Sequence, residues 1–311
     1  MILSFAGGVG GARLARGLYA VLGERLTVVV NTGDDFEHLG LHISPDLDTV
    51  MYTLAGLNNN ETGWGLAGES WRFMDMMRRL EGPTWFQLGD QDLAVHVERT
   101  HWLAQGETLS SVTARLCARL GVHCAIVPMS DQNVRTRVAS DRGVLAFQEY
   151  FVRLRCEPRI ERLEFAGVES AAMAPGFAAA WQAEDLEAIV FAPSNPFLSL
   201  APILALPGVE NQLRSRRVPA VAVSPIIGGK AVKGPAAKIL RELGHEVSAL
   251  AVARHYRGLI DGFVLDREDA ALAPEVEALG MRALVTDTIM RNEGVSATLA
   301  AQVLEFARTV A

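Results

Sequence analysis

The sequence predicts a doubly wound α/β fold, in which helices cover both faces of a mostly parallel, Rossmann-like sheet. Short apolar or β-branched runs alternate with amphipathic helical windows along almost the whole chain of 311 residues. The strand-like runs are mostly apolar, without a regular polar alternation, which is typical of strands buried on both faces of a parallel sheet. Half of the residues are hydrophobic, so a chain of this length can bury one large core or two unequal ones.

Eight segments carry the strand pattern, and helical patterns lie between them. The predicted strands are 2–5, 26–31, 84–88, 123–127, 188–191, 220–223, 262–265 and 282–285. Among the helical windows, ETLSSVTARLCARLG has Thr108 as its N-cap and Gly121 as its stop signal. The windows PAAKILRELG and NEGVSATLAAQVLEFARTV show the same pattern.

One region departs from this alternation. The segment VRTRVASDRGVLAFQEYFV alternates with a period of two around the turn residues 140–143, which predicts a β-hairpin. An Ala- and Pro-rich segment, GVESAAMAPGFAAAWQAEDL, follows it. We therefore expect residues 134–185 to form a small inserted α+β subdomain, and residues 1–133 and 186–311 to form the Rossmann-like core.

Composition excludes several classes of protein. The formal net charge of −7 argues against a nucleic-acid partner, because such binding depends on cationic contacts to phosphates. The N-terminus lacks the pattern of a secretory signal, and no apolar run is long enough to span a membrane. The cysteines Cys117, Cys124 and Cys156 are odd in number and lack C-x-x-C spacing, which favours core thiols in a reducing compartment. We expect a cytoplasmic globular enzyme or binding protein.

Glycines and small polar residues follow nearly every predicted strand. The segments at these positions are AGGVGG, NTGDD, LGDQD, PMSD, APSNP, SPIIGGK and TDT. Since the carboxyl ends of parallel strands lie along one edge of a sheet, these segments are expected to converge on one ligand-binding crevice. Turn preferences alone would account for several of them.

The first of these segments is a glycine loop between a strand and a helix. Free backbone amides and the helix dipole attract a phosphate at such a position, although a tight turn would need glycines too. Arg13 stands where the dinucleotide-binding motif has its third glycine, and the motif G-x-x-x-x-G-K-S/T of ATPases is absent from the sequence. Lys230 and Lys233 precede a second helix start near Pro235, another position that suits an anion unless the lysines are simply solvated.

Several carboxylates follow the second predicted strand. Asp34, Asp35, Asp46 and Asp48 occur in NTGDDFEHLGLHISPDLD, close to the glycine loop. Carboxylates beside a phosphate site favour Mg²⁺, although Asp46 or Asp48 could instead cap the helix that follows, and the two roles can coexist. The histidines lack a complete metal-binding pattern, and we expect His96 to be structural.

Six segments, in order along the chain, closely resemble the 2-phospho-L-lactate transferase family of coenzyme F420 biosynthesis. They are AGGVGGARLARGL, NTGDDFEHLGLHISPDLDTVMYTLAG, LGDQDLAVH, PMSDQNVRT, APSNPFLSLAPILALPGV and AVSPIIGGKAVKGPAAK. The resemblance implies a transferase that joins the deazaflavin Fo to 2-phospholactate, phosphoenolpyruvate or phosphoglycerate, taken from a guanosine-diphosphate-linked donor, and that releases GMP. It also implies Mg²⁺ and a homodimer.

The resemblance assigns roles to individual residues. Asp35 and Asp48 would be the catalytic carboxylates and the Mg²⁺ ligands, and Asp48 would contact Fo together with Gln87 and Asp90. The nucleotide and its phosphates would lie against Gly8, Gly10, Gly11, Arg13, Ser194, Asn195 and Lys230. Members of the family often have basic residues where this chain has Gln87 and Gln91. Our hypothesis is that Lys230 or Arg13 compensates for them in neutralising the donor's negative charge.

The residues fit this chemistry independently of the resemblance. Transfer of a phosphoryl-type group to an alcohol needs charge neutralisation and in-line positioning more than covalent catalysis. No activated Ser or Cys arrangement is visible in the sequence, so we expect no covalent intermediate. Two alternatives remain: a non-catalytic sugar-nucleotide-binding regulator similar to the gluconeogenesis factor family, and an NAD-dependent oxidoreductase. Retained NAD would favour the latter, whereas Mg²⁺-dependent GMP release would exclude both.

Overall fold

A computed structural model describes residues 1–232 and 234–310, so Lys233 lies outside the described residues. The strands are β1 (Ile2–Ala6), β2 (Leu26–Val30), β3 (Phe36–His38), β4 (Leu41–Ile43), β5 (Ala125–Pro128), β6 (Arg135–Ser140), β7 (Gly143–Ala146), β8 (Ile160–Ala166), β9 (Ala188–Phe191), β10 (Ala220–Val223), β11 (Ile226–Ile227), β12 (Lys230–Ala231), β13 (Gly262–Asp266) and β14 (Arg282–Thr286).

The helices connect these strands and cover the sheet. They are α1 (Gly8–Leu22), α2 (Pro45–Ala55), α3 (Arg72–Arg79), α4 (Asp90–Ala104), α5 (Leu109–Arg119), α6 (Pro175–Gln182), α7 (Ala201–Leu204), α8 (Val209–Arg214), α9 (Ala236–Glu242), α10 (Ala249–His255), α11 (Ala273–Glu277) and α12 (Glu293–Thr309). The predicted cap of α5 is confirmed, because Thr108 Oγ1 accepts a hydrogen bond from the Ser111 N–H group.

Seven strands form one parallel sheet, which confirms the doubly wound α/β fold. Their order is β14-β13-β10-β9-β1-β2-β5. The chain first builds outward from β1 to β5 and then returns to build the other half from β9. The neighbours β1 and β9 therefore mark the point where the strand order reverses, which is where ligands bind in sheets of this kind.

Both faces of the sheet are buried, as the apolar strands predict. Leu3 and Phe5 of β1 point into one hydrophobic cluster, which includes residues of α6 and α10. Ile2 and Ala6 point into the other, which includes residues of α1, α2, α5 and α12. This alternation with a period of two places a helical layer on each side of the sheet.

The strand predicted at 84–88 is wrong. These residues form a loop that leads into α4. Leu88 is buried with Ile43 and Met74 in a small cluster separate from the two faces of the sheet, and Phe86 packs against it. The apolar residues whose spacing suggested a strand pack into this local cluster instead.

The predicted hairpin is confirmed. Strands β6 and β7 pair in antiparallel register with Ser140 opposite Gly143, and β8 pairs with the other side of β6. Val138 of this small sheet belongs to the same buried cluster as Phe5 of the central sheet. The expected limits of an inserted subdomain, 134 and 185, stay a prediction. No helix among the described residues is both long and apolar enough to cross a membrane.

Candidate functional site

A cleft of about 640 Å³ opens at the carboxyl edge of the sheet. The segments after β1, β2, β9, β10 and β14 line it, so most of the strand ends singled out in the sequence do converge. The segment PMSD after β5 is absent from the lining among the described residues. The volume lies within the range of about 300–1,000 Å³ typical of small-molecule sites.

The glycines of the first loop allow two backbones to pack against each other. A Cβ atom on Gly10 would lie 2.4 Å from the carbonyl oxygen of Pro193, and one on Gly11 would lie 2.3 Å from Ser194 Oγ. Both distances are too short for carbon against oxygen. The segment after β9 therefore fits directly onto the start of α1 because these residues lack side chains.

The same loop is tied to a carboxylate of α2. Asp46 accepts hydrogen bonds from the Gly8 N–H group at 2.8 Å and from Asn31 Nδ2 at 3.0 Å. The Gly7 N–H group donates to Ser194 Oγ at 3.0 Å. The first turn of α1 carries no acidic residue, and the remaining N–H groups of a first turn lack partners within their own helix. The start of α1 thus keeps amides available for an anion.

Four carboxylates, which we call the acidic group, line the cleft: Asp34, Asp46, Asp48 and Asp92. Burial and then the charge of Asp46 raise the pKa of Asp34 well above its usual value. Asp34 Oδ1 is buried and has no hydrogen-bond partner in the described part of the chain. Burial also raises the pKa of Asp46 to about 6, against the opposing effect of its hydrogen bonds from Asn31 and Gly8.

A buried arginine holds Asp48. Arg99 is 1% exposed, and its guanidinium contacts both carboxylate oxygens of Asp48, with Nη1 3.1 Å from Oδ2. Burial raises the pKa of Asp48, and the positive charge of Arg99 opposes that effect without cancelling it. Paired in this way, Asp48 faces the cleft with its charge largely compensated.

His96 lies between Asp48 and Asp92. Its Nδ1 atom is 3.2 Å from Arg99 Nη1, and its Nε2 atom is 3.3 Å from Asp92 Oδ2. The Tyr52 hydroxyl donates to Asp92 Oδ1 at 2.6 Å. Burial alone would raise the pKa of Asp92, but His96 and Tyr52 outweigh it and the pKa is lowered.

These contacts bring His96 into a group of possible metal ligands. One ligand atom each from Asp48, Asp92 and His96 lie within 4.8 Å of one another, which is close enough to hold a metal ion. The spacing of the histidines along the chain did not indicate this group, and the structural role expected for His96 stays a prediction. Its partners are Asp92, four residues earlier on α4, and Asp48 on α2, which the local sequence does not place beside it.

Asp35 lies behind the cleft. Its Oδ2 atom accepts a hydrogen bond from Ser44 Oγ at 2.8 Å and lies 3.2 Å from His42 Nε2, and its side chain is fully buried. It is absent from the lining residues of the described chain. Of the two metal ligands implied by the resemblance, Asp48 faces the cleft and Asp35 does not.

The residues of LGDQD have different surroundings. Gln87 lines the cleft, and its Nε2 donates to the Thr84 carbonyl at 2.7 Å. Asp90 lies outside the lining formed by the described residues and accepts the Phe73 N–H group at 3.0 Å, at the start of α3. Gln91 Nε2 donates to the Gly68 carbonyl at 3.2 Å. Gln87 is thus placed to contact a ligand, whereas Asp90 and Gln91 organise the chain beside the site.

The residues expected at the nucleotide also separate into two groups. Arg13 lines the cleft and donates to the Met290 carbonyl at 3.0 Å, and Ser194 and Asn195 line it as well. The Asn195 Oδ1 atom accepts a hydrogen bond from the Phe197 N–H group at 3.0 Å, so this side chain caps the helical turn that follows. Lys230 is exposed on β12 and lies outside the lining formed by the described residues.

The buried arginine and its neighbours are what the sequence interpretation missed. Asp92, His96 and Arg99 have the spacing i, i+4 and i+7, which places them on one face of α4. Polar residues repeated on one face of a predicted helix are a signal that a sequence can show. If that face is buried, the side chains must find polar partners. Their partner Asp48 is 51 residues away from Arg99, and only the fold brings it there.

Comparisons with known proteins agree on one family. The model of the family 2-phospho-L-lactate transferase CofD matches residues 2–302. A phosphoenolpyruvate transferase from Streptomyces griseus is 44% identical, with 99% of each chain covered. A 2-phospho-L-lactate transferase from Methanosarcina mazei is 37% identical, with 98% of this chain and 99% of the other covered.

A solved structure of a UPF0052 family member from Bacillus halodurans matches with a TM-score of 0.62 at 13% identity and covers 97% of this chain and 98% of the other. That likeness supports the fold alone. The family match spans nearly the whole sequence, and both named relatives exceed 30% identity over almost their full length. The chain therefore belongs to the 2-phospho-L-lactate transferase family.

Proposed function

We propose that this chain joins the deazaflavin Fo to a phosphorylated three-carbon acid from a guanosine-diphosphate-linked donor and releases GMP, as a step in the formation of coenzyme F420. The observation that carries the proposal is the meeting of the acidic group and the start of α1 in one cleft of about 640 Å³. The carboxylates can hold a cation or accept a proton, and the start of α1 can bind phosphate.

The names of the relatives favour enolpyruvyl as the transferred group. Proteins named phosphoenolpyruvate transferases from Streptomyces griseus and Thermobifida fusca are 44% and 41% identical to this chain. Proteins named 2-phospho-L-lactate transferases from Methanosarcina mazei and Methanospirillum hungatei are 37% and 36% identical. The guanylated phosphoenolpyruvate donor is therefore the first to test.

The acidic group fits a divalent cation. Asp34 offers a buried carboxylate oxygen without a hydrogen-bond partner in the described chain, and Asp46 lines the same cleft. Asp48 is the weaker candidate, because Arg99 contacts both of its oxygens. We propose that Asp34 and Asp46 hold Mg²⁺ together with substrate oxygens. When bound, Mg²⁺ would neutralise the charge of the diphosphate and of the leaving GMP.

The chain's own residues would bind and orient the substrates. The start of α1 would hold the donor's phosphates, and Arg13 would add a positive charge at the same side of the cleft. The terminal ribityl oxygen of Fo would form a bond to the phosphorus that carries the acid, as the bond from that phosphorus to GMP breaks. The hydroxyl proton would pass to a carboxylate of the acidic group.

A substrate panel tests this function. Purified protein is mixed with Fo, Mg²⁺ and, in turn, the guanylated forms of phosphoenolpyruvate, 2-phospholactate and phosphoglycerate. Mass spectrometry should show one major Fo adduct, formed fastest from the phosphoenolpyruvate donor. A folded protein that binds nucleotide but forms no adduct with any donor would contradict the proposal and favour the non-catalytic regulator.

A further inference from the structure

The segment from Phe147 to Val152 borders the cleft with an aromatic pair that the acidic group does not explain. Phe147, Gln148, Phe151 and Val152 all line the cleft. The rings of Phe147 and Phe151 stack with their centroids 5.3 Å apart and their planes at 16°. Phe147 is buried, whereas Phe151 is 38% exposed. A large apolar side chain is thus left partly in solvent at the edge of a substrate-sized cleft.

The backbone around this pair is irregular. Residues Glu149–Arg153 form a π-helical turn, a conformation that is rare and often found at functional sites. Arg155 and Cys156 then have φ values of 49° and 57°, in the left-handed region that residues with side chains avoid. Conformations of this kind persist only where the surrounding structure maintains them.

The surrounding structure anchors the turn on its buried side. Tyr150 is 0% exposed, and its carbonyl oxygen accepts the Cys156 N–H group at 2.9 Å. Lys238 Nζ lies 3.3 Å from the Tyr150 hydroxyl and 5.6 Å from its ring centroid. Because Tyr150 is held in place, the neighbouring Phe151 is positioned at the cleft. Part of its ring remains exposed there and can contact a ligand.

The turn is also joined to the chain that carries one carboxylate of the acidic group. Gln148, between the two phenylalanines in sequence, donates from Nε2 to the backbone carbonyl oxygen of Asp34 at 3.1 Å. The aromatic pair and the acidic group line the same cleft, so one ligand can contact both. This arrangement suits a molecule with a planar ring at one end and a hydroxyl-bearing chain at the other.

We infer that Phe147 and Phe151 form the binding surface for the planar heterocycle of the acceptor, with Phe151 making the contact that selects it. The inference rests on the proposed function, since the acceptor there is a deazaflavin. Stacking on an aromatic side chain contributes strongly to binding a flat heterocycle. The donor's guanine is also a flat heterocycle, and its binding is the alternative that the experiment must separate.

A second exposed aromatic residue gives a competing position. Trp64 is 44% exposed, lines the cleft, and meets Trp71 edge-on at 6.0 Å. Its aromatic partner meets it edge-on, whereas the rings of Phe147 and Phe151 are stacked. Trp64→Ala therefore belongs in the same experiment as Phe151→Ala.

The test measures binding of Fo alone and of GMP alone, by equilibrium fluorescence and calorimetry. Phe151→Ala should weaken Fo binding by about 5- to 100-fold, the range expected for loss of one stacked aromatic contact. GMP binding should change less than about twofold, and Phe151→Trp should restore Fo binding, because it restores a ring face. The control is Val144→Ala, which shortens an apolar side chain on the same small sheet. Val144 is 58% exposed and lies outside the cleft lining formed by the described residues.

Each remaining outcome overturns the inference. Unchanged Fo binding in a folded Phe151→Ala variant would show that the pair does not hold the ring. Weakened GMP binding with intact Fo binding would place the donor's base there instead. A large loss in Trp64→Ala alone would move the acceptor to the other aromatic residue. Failure of the wild-type protein to bind Fo would overturn both this inference and the proposed function. If Phe151→Ala binds Fo with unchanged affinity and still converts it, this inference is wrong but the proposed function stands.

Discussion

Replacing Arg99 by methionine is expected to lower the free energy of unfolding by about 3–5 kcal/mol, the cost of leaving a buried charge without its partner. Arg99 is 1% exposed and contacts both oxygens of Asp48. Methionine fills much of the volume of the arginine side chain, so little of the destabilisation should come from a cavity. Most of it should come from the buried carboxylate of Asp48, which loses its partner. Chemical denaturation of the wild-type and variant proteins measures it.

The control is Arg78→Met on α3. Arg78 also pairs with a carboxylate, that of Asp75, but both side chains are more than half exposed. Such a surface pair contributes at most about 1 kcal/mol, so this variant should unfold nearly as the wild type does. Equal losses in the two variants would show that Arg99 does not stabilise the fold by compensating Asp48.

Replacing Asp34 by asparagine is expected to decrease transferase activity by about 100-fold or more while it stabilises the metal-free protein by about 0.5–2 kcal/mol. Burial and the charge of Asp46 raise the pKa of Asp34, so its ionised form costs folding energy at neutral pH. Asparagine removes that charge with almost no change in shape. Activity assays and thermal unfolding without divalent cations provide the two values.

Magnesium should reverse the order of stability. At a concentration 100 times its Kd, Mg²⁺ would stabilise the wild-type protein by about 2.7 kcal/mol, and the Asp34→Asn variant should gain much less. Asp75→Asn, the same change at a side chain 66% exposed, should alter neither activity nor the response to Mg²⁺. An Asp34→Asn variant with full activity would remove Asp34 from the proposed cation site.

The sequence predicted the fold well because burial on both sides of a parallel sheet leaves a simple pattern. Strand β9 is apolar at every position and β1 at all but Ser4, and local turn residues mark the ends of both strands. The segment at 84–88 has comparable apolar spacing, but its Leu88 packs with Ile43 and Met74. Only tertiary contacts distinguish that local cluster from a strand.

The site was predicted less completely, because its contacts join distant parts of the chain. The glycines were recognised, but the carbonyl oxygen that excludes a side chain at Gly10 belongs to Pro193. The adjacent residues Asp34 and Asp35 looked equivalent in sequence, yet one lines the cleft and the other is buried behind it. Which of two neighbouring carboxylates faces a ligand depends on backbone direction, which residue types do not specify.

We propose that the cleft transfers a phosphorylated acid to Fo and releases GMP with the help of Mg²⁺. The most direct measurement follows Fo adduct and GMP together in one reaction, with the guanylated phosphoenolpyruvate donor, in Mg²⁺ and then in excess chelator. We predict that adduct and GMP appear in equal amounts with Mg²⁺ and that neither forms once the cation is removed. GMP without adduct, or an adduct that forms equally fast in chelator, would contradict this Mg²⁺-dependent transfer.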